Sequence, residues 1–186
     1  NQLRFNSATG FVYRGGDVEF LDANNDKVIN NSDRVILGNP NPDFTGGLTN
    51  TISYAGFDLN VFANFSYGNK IFNEVRRDRD SHRLGTGAGA STDVLNRWRN
   101  PGDVTDFPKV YVGDERQNGR QNSSYWMEDG SFIRLKTVTL GYTLPTPLIG
   151  KVRMKSARLY VTGQNLLTFS RYSGFDPETV NTSSNA

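Results

Sequence analysis

The sequence predicts an all-β chain: antiparallel strands of a transmembrane β-barrel, about five or six of them and so a partial barrel, with long extracellular loops. Three observations predict it. Residues 43–69 alternate between apolar and polar side chains with a period of two, across two consecutive stretches. The aromatic residues of that segment gather at the two ends of its apolar side. The connections alternate between short turns and one very long tract, as they do on the two sides of an outer-membrane barrel.

The hairpin at 43–69 carries the reading. Phe44, Gly46, Leu48, Asn50, Ile52 and Tyr54 share one parity, and Thr45, Gly47, Thr49, Thr51 and Ser53 share the other. Beyond Ala55-Gly56, one face takes Phe57, Leu59, Val61, Ala63, Phe65 and Tyr67; the other takes Asp58, Asn60, Phe62, Asn64 and Ser66. A two-residue loop ending in Gly suits a tight hairpin turn. Counting outward from it sets Tyr54 against Phe57, Ile52 against Leu59, Leu48 against Ala63 and Phe44 against Tyr67 on the apolar side. Ser53–Asp58, Thr51–Asn60 and Thr45–Ser66 fall on the polar side. Strands of about eleven residues at ~3.3 Å each, tilted by ~40–45°, span roughly 25 Å, the height of a barrel's apolar band. Tyr54 and Phe57 sit at the turn, and Phe44, Phe65 and Tyr67 at the far rim, where aromatic girdles belong. A soluble sandwich would use the same alternation to bury the apolar face against a second sheet.

The other elements follow. Residues 16–38 are expected to hold a strand and a calcium-like loop, and 70–130 a long extracellular loop. A second hairpin is placed at 131–165, and a loop or terminus at 166–186. In that hairpin Val138, Leu140, Tyr142 and Leu144 alternate with Thr139, Gly141 and Thr143 before Pro145 and Pro147 end the strand. Its partner strand is expected over Ala157–Gln164, where Leu159 and Val161 oppose Arg158, Tyr160 and Thr162 in parity. A connection as long as 70–130 is exceptional in a compact soluble domain.

Composition narrows the function. With 35% hydrophobic residues and a mean hydropathy of −0.57, the chain is not a helical membrane protein. Yet it holds 12 Phe, 8 Tyr and 19 Gly, a supply that suits strands and turns. Its 21 basic residues are interspersed with 19 acidic ones, giving a net charge of +2 and no basic stripe for nucleic acid. Having no cysteine, it has no disulfide, thiolate nucleophile or thiolate metal ligand. Asn1–Phe5 has neither an initiator Met nor a signal-peptide core, so the chain reads as a processed or excised piece.

Candidate sites are few. Within Asp22–Asp33, oxygen-bearing side chains recur at alternate residues: Asp22, Asn24, Asp26, Asn30 and Asp33, with the carbonyl of Val28 between them. A hard cation such as Ca2+ takes six to eight oxygens, and a loop winding round it supplies them at this spacing. Lys27 stands where the motif has Gly, and Asp33 where it has the longer Glu. Two readings stay open: a calcium loop of weak, extracellular-range affinity, ~10⁻⁴–10⁻³ M, or an Asn/Asp-rich turn held by its own side chains. Trp98 and Trp126 could stack on a ligand or partner, or pin loops together. His82 has acidic neighbours Asp78 and Asp80 but no second metal-binding His, and reads as a solvated loop residue. The pairs Asp114-Glu115 and Glu128-Asp129 are adjacent in sequence, which is not how catalytic carboxylates converge. Gly87-Ala88-Gly89 follows no strand and opens no helix, so it is no phosphate loop. No enzyme chemistry is expected and no catalytic residue is assigned.

Several ordered segments resemble the C-terminal barrel region of SusC/RagA-type TonB-dependent transporters. They include Gly16–Phe20 with the Asp22–Asp33 loop, Ile36–Phe44, Tyr54–Leu59, Ser66–Asn69 and Glu128–Lys136. Gly141–Pro145, Gln164–Phe169 and Tyr172–Glu178 complete the series. The resemblance implies part of a nutrient importer, for oligosaccharides or peptides, in the outer membrane of a Gram-negative bacterium. It implies a SusD-like surface lipoprotein as lid, outer-membrane lipid around the wall, and a TonB complex engaged through N-terminal parts not present here. The Ala55-Gly56 turn and the 145–156 connection would then be periplasmic, and the Asp22 loop, the 68–130 tract and residues 172–178 would face outside. The alternative from another class is a secreted, calcium-stabilised β-sandwich that binds glycans.

Overall fold

The computed structural model describes residues 5–6, 10–80, 91–116, 118, 122–150 and 154–178. The chain divides into two units, residues 39–71 with 128–186 and residues 1–38 with 72–127.

The first of these is built on a four-stranded antiparallel sheet. Strand β4 runs over Phe44–Tyr54, β5 over Phe57–Tyr67, β8 over Phe132–Thr143 and β9 over Arg158–Ser170. They lie side by side in the order β4-β5-β8-β9. The β4–β5 register is the one counted from the turn, from Tyr54↔Phe57 out to Phe44↔Tyr67. Ala55 and Gly56 have φ of 50° and 85°. Positive φ at both loop residues gives the turn the twist that strands of this hand require, and Gly56 adopts it without steric cost. The two hairpins join directly, β5 pairing with β8 from Phe57↔Tyr142 to Ser66↔Phe132.

A bulge crosses the sheet at one level. Phe62 and Ala63 of β5 are adjacent, yet their partners Thr137 and Leu135 leave Lys136 between them. In turn Leu135 and Thr137 face Leu167 and Gln164, leaving Asn165 and Leu166 between those. Asn165 takes φ of 50°, a left-handed conformation that Asn tolerates better than most residues. Leu166 lies over the bare Cα of Gly163. Beyond the bulge Leu167–Ser170 go on pairing with Leu135–Phe132, so β9 extends to Ser170, past the expected limit of the second hairpin at 165. Two adjacent leucines at 166–167 interrupt the alternation that marks a strand, and the bulge absorbs one of them.

The other unit is mostly irregular. Short strands β1 (Phe5–Asn6), β2 (Phe11–Val12) and β3 (Val28–Ile29) form a small sheet, so the strand expected within 16–38 is only two residues long. The tract expected as a plain loop at 70–130 contains a strand β6 (Lys70–Phe72), a helix α1 (Glu74–Asp80), short 3-10 turns and a strand β7 (Met127–Asp129). Asn73 caps α1, its Oδ1 accepting from Arg76 N at 2.9 Å. Apolar burial is sparse here, resting on Ile29, Val94, Phe107 and Trp126. Polar ties take over: Arg116 donates to Asp17 at 3.1 Å and to the Val12 carbonyl at 3.0 Å, and Asn118 bridges Asp17 and the Lys109 carbonyl. Tyr111, beside this network, has its hydroxyl pushed up to about 12 by burial and by the nearby Asp17 carboxylate. In the unit that holds the four-stranded sheet, the connection after β8 contains a short helix α2 (Thr146–Ile149), opened by Pro145. Among the described residues no helix is long and apolar enough to cross a membrane.

Candidate functional site

The four-stranded sheet has two unlike faces, and register decides which side chain goes to which. One face reads in rows across the strands. At the turn end stand Tyr54, Phe57, Tyr142 and Leu159; next come Ile52, Leu59, Leu140 and Val161. The middle row is Asn50, Val61, Val138 and Gly163, followed by Leu48, Ala63, Leu135 and Leu167. Phe65, Ile133 and Phe169, with the stacked pair Phe44 and Tyr67 at 5.0 Å, close the far end. Aromatics therefore occupy both ends, and the middle is aliphatic or small apart from Asn50 on the edge strand β4. This face is uncovered: Leu48 is 68% exposed, Ile52 56% and Val161 66%.

The opposite face is polar. Thr51, Asn60, Thr139 and Thr162 form one row, in which Asn60 donates to Thr51 at 2.8 Å and the two threonine hydroxyls of 139 and 162 meet at 3.0 Å. Near the turn end, Arg158 on β9 reaches across β8 to pair with Asp58 on β5. Gly141 lies beneath that ion pair; a Cβ there would sit within 2.5 Å of the guanidinium and 2.6 Å of the carboxylate. The absent side chain is what lets the pair span three strands.

At the other end, residues 171–178 fold back over the polar face. Arg134, only 5% exposed, donates to Thr168 Oγ1 at 3.0 Å, to Asp176 at 2.5 Å and to Glu178 Oε2 at 2.7 Å. Lys136, the bulge residue, donates to Glu178 Oε1 at 2.8 Å. The hydrogen bond from Arg134 holds the Asp176 carboxyl below the usual carboxylate range. Glu128 fixes the start of this strap, accepting from Ser173 N at 2.7 Å and Ser173 Oγ at 2.8 Å. Sequence reading did not find this cluster; an arginine at a strand position flanked by Ile133 and Leu135 was the available signal.

The residues singled out from the sequence fall as follows. In the Asp22–Asp33 loop, Asp22 accepts from Asp26 N and Lys27 N, Asp26 from Val28 N, and Asp33 from Ala23 N and Asn30 N. Those backbone bonds hold the Asp33 carboxyl below its ordinary range, the bond from Asn30 most of all. Asn24 accepts from Asp26 N, and Asn30 accepts from Ser32 N while donating to the Val28 carbonyl. Lys27 takes φ of 68°, the conformation for which the calcium motif uses Gly. Among the described residues no three His, Cys, Asp or Glu side chains converge closely enough to hold a metal.

Trp126 is 1% exposed, edge-on to Tyr125 at 4.6 Å and beneath the Arg76 guanidinium at 5.6 Å. Such burial makes it a loop pin rather than a ring offered to a ligand. Trp98 is half-buried against Gly15 and Gly16, with Lys109 Nζ 5.5 Å from the ring. Asp129 accepts from the neighbouring Ser131, and Glu128 from the distant Ser173. His82 and the glycine-rich stretch 85–90 lie outside the described residues.

No family model matches the chain. Sequence relatives do. TonB-dependent receptor P3 of Formosa agariphila is 41% identical over 165 residues, covering 88% of this chain and 15% of that protein. TonB-dependent receptor SusC of Bacteroides thetaiotaomicron is 30% identical over 165 residues, covering 86% and 15%. Among solved structures, the RagAB peptide transporter superposes with a TM-score of 0.66 at 30% identity, over 76% of this chain and 15% of that one. The chain belongs to the SusC/RagA-type TonB-dependent transporters. It spans about 15% of the length of the TonB-dependent receptors it matches. The RagAB peptide importer in its closed-closed state gives a TM-score of 0.63 at 32% identity, so fold and sequence point to one family. Among the described residues the four-stranded sheet has β4 and β9 as its outer strands.

Proposed function

We propose that this chain forms part of the wall of an outer-membrane β-barrel importer, one face toward lipid and the other toward a water-filled interior. The observation that carries the reading is the apolar face left uncovered between two aromatic ends. A globular domain would spend free energy exposing Leu48, Ile52, Leu140 and Val161 to water, whereas lipid accepts them. A sandwich, the alternative from another class, would bury these same side chains. The strands of eleven to thirteen residues are long enough for the apolar band when tilted. The whole transporter is proposed to carry a nutrient, oligosaccharide or peptide, across the outer membrane of a Gram-negative bacterium. A SusD-like lipoprotein covers it and a TonB complex powers it. The long tract 70–130 and residues 172–178 face the outside in this reading, and the Ala55-Gly56 turn faces the periplasm.

The test uses the full-length transporter in vesicles, with single cysteines carrying a fluorophore. Quenching by brominated lipid is expected to be strong at Leu48→Cys and Leu140→Cys and weak at Thr49→Cys and Thr139→Cys. Equal quenching at the two sets, or the reverse order, would sink the proposal.

Calcium in the Asp22–Asp33 loop is a separate reading. Spacing and the left-handed Lys27 favour it, and the three carboxylates would have to draw together round the ion. Calorimetric titration of the full-length protein should then show a dissociation constant of about 10⁻⁴–10⁻³ M, lost in Asp22→Asn. No heat up to 10-fold above that range, about 10⁻² M, would leave the loop as a plain turn.

A further inference from the structure

Strand β9 ends at Ser170, on the outer side of the sheet, yet the chain that follows runs back over β8. By Pro177 and Glu178 it has come beside Phe62 and Ser66 of β5. The return is fastened at its start, middle and end. Ser170 Oγ donates to the Ser131 carbonyl and accepts from Tyr172 N, both at 3.0 Å. Glu128 holds Ser173 through its N and its Oγ. Asp176 and Glu178 bracket the Arg134 guanidinium, and Lys136 donates to the other oxygen of Glu178. Between these acids Pro177 is buried, its φ fixed by the ring, and Glu178 N donates to Asp176 Oδ1 at 2.9 Å. Arg134 belongs to β8, which has a paired strand on each side, so its burial owes nothing to a sheet edge. A buried guanidinium is costly without its acids, so the strap is held down and does not merely rest there.

We propose that residues 171–178 are a fixed sill on the interior side of the wall, which limits the bulk of what passes down the polar face from outside. This rests on the wall reading above and adds a size limit to it: the sill selects by bulk, not by recognising a cargo. A lid that opens and closes needs contacts it can exchange. Here the two cations on β8, Arg134 and Lys136, are matched by the two anions of the turn, Asp176 and Glu178. Thr139 and Thr162 stand on the same polar face beyond the sill, toward the turn end of the sheet.

The experiment measures access to a thiol beyond the sill, in cells displaying the full-length transporter with Thr139→Cys. One reagent is a small methanethiosulfonate cation and the other a maleimide on a long polyethylene glycol chain, each added outside. The small reagent is expected to react at the same rate whether or not the sill is fastened. The polymer should react slowly with the fastened protein, and about tenfold faster when Asp176→Asn with Glu178→Gln releases the strap from Arg134. Heat-modified mobility in gels reports barrel assembly; if the double variant does not assemble, Arg134→Met decides, since it frees the same two acids. A polymer rate that the release leaves unchanged overturns the sill, and so does rapid polymer reaction in the fastened protein. Those results leave the lipid-quenching test standing. A thiol at Thr139→Cys that the small reagent never reaches would instead count against the water-filled interior, and the sill would fall with the wall.

Discussion

Placing an arginine at Val138 in the full-length transporter is expected to cost about 2–4 kcal/mol of stability. Thr139→Arg, one residue on, should stay within about 1 kcal/mol. Val138 stands in the middle row of the apolar face, between Val61 and Gly163; in the proposed wall lipid is deepest there, and an arginine cannot easily reach either surface. Thr139 stands in the polar row between Asn60 and Thr162, where a water-filled interior would hydrate a charge. Urea unfolding of the protein folded into vesicles measures both. If Thr139→Arg proves the costlier change, the two faces must be exchanged and the proposed wall is wrong.

The second large effect belongs to the strap over residues 171–178. Removing both carboxylates, Asp176→Asn with Glu178→Gln, leaves the buried Arg134 guanidinium without a counter-charge. The expected loss is about 3 kcal/mol, since an uncompensated buried charge is what makes a broken pair expensive. Arg134→Met should cost less, about 1 kcal/mol. The carboxylates it strands are 36% and 37% exposed and can hydrate. Protease cleavage within 171–178, together with the unfolding midpoint, reads both variants. A larger loss in Arg134→Met would mean that the guanidinium matters chiefly for its packing over Phe132, 5.5 Å away. Acid should mimic the double substitution. Because Arg134 lowers the Asp176 pKa, the stabilisation is fully present above the unfolded value of about 3.9 and disappears as pH falls through the depressed folded value. Cleavage of the strap should accordingly rise only in strongly acidic buffer.

The hairpin at 44–67 was legible down to its register because its two strands pair residue for residue without a bulge and the turn is only two residues long. The second hairpin was legible by face but not by extent. Lys136 shifts the apolar parity from Ile133 and Leu135 to Val138, Leu140 and Tyr142, and Asn165-Leu166 breaks the pattern again in β9. Period-two reading has no means of crossing a bulge. The contacts around Arg134 join residues 42 and 44 positions apart, and no local pattern encodes them. Trp126 illustrates a different limit: a tryptophan in a polar tract looks the same in sequence whether it faces a ligand or lies beneath Arg76. The Asp22–Asp33 loop was found by spacing, and the same spacing serves both a cation and the loop's own backbone amides.

The bulge shared by β5, β8 and β9 has a geometric consequence. At one level, the path along the chain between matched neighbours lengthens from zero intervening residues (Phe62, Ala63) to one (Lys136) to two (Asn165, Leu166). Such a ribbon of strands is gathered at its β5 side and let out at its β9 side, so it must flare there instead of lying straight. In the proposed wall, the part of the sheet beyond this line would then lean relative to the rest, with Lys136 at the crease. Deleting Asn165 would take up the slack on one side only and should be felt first as a misfit between neighbouring staves.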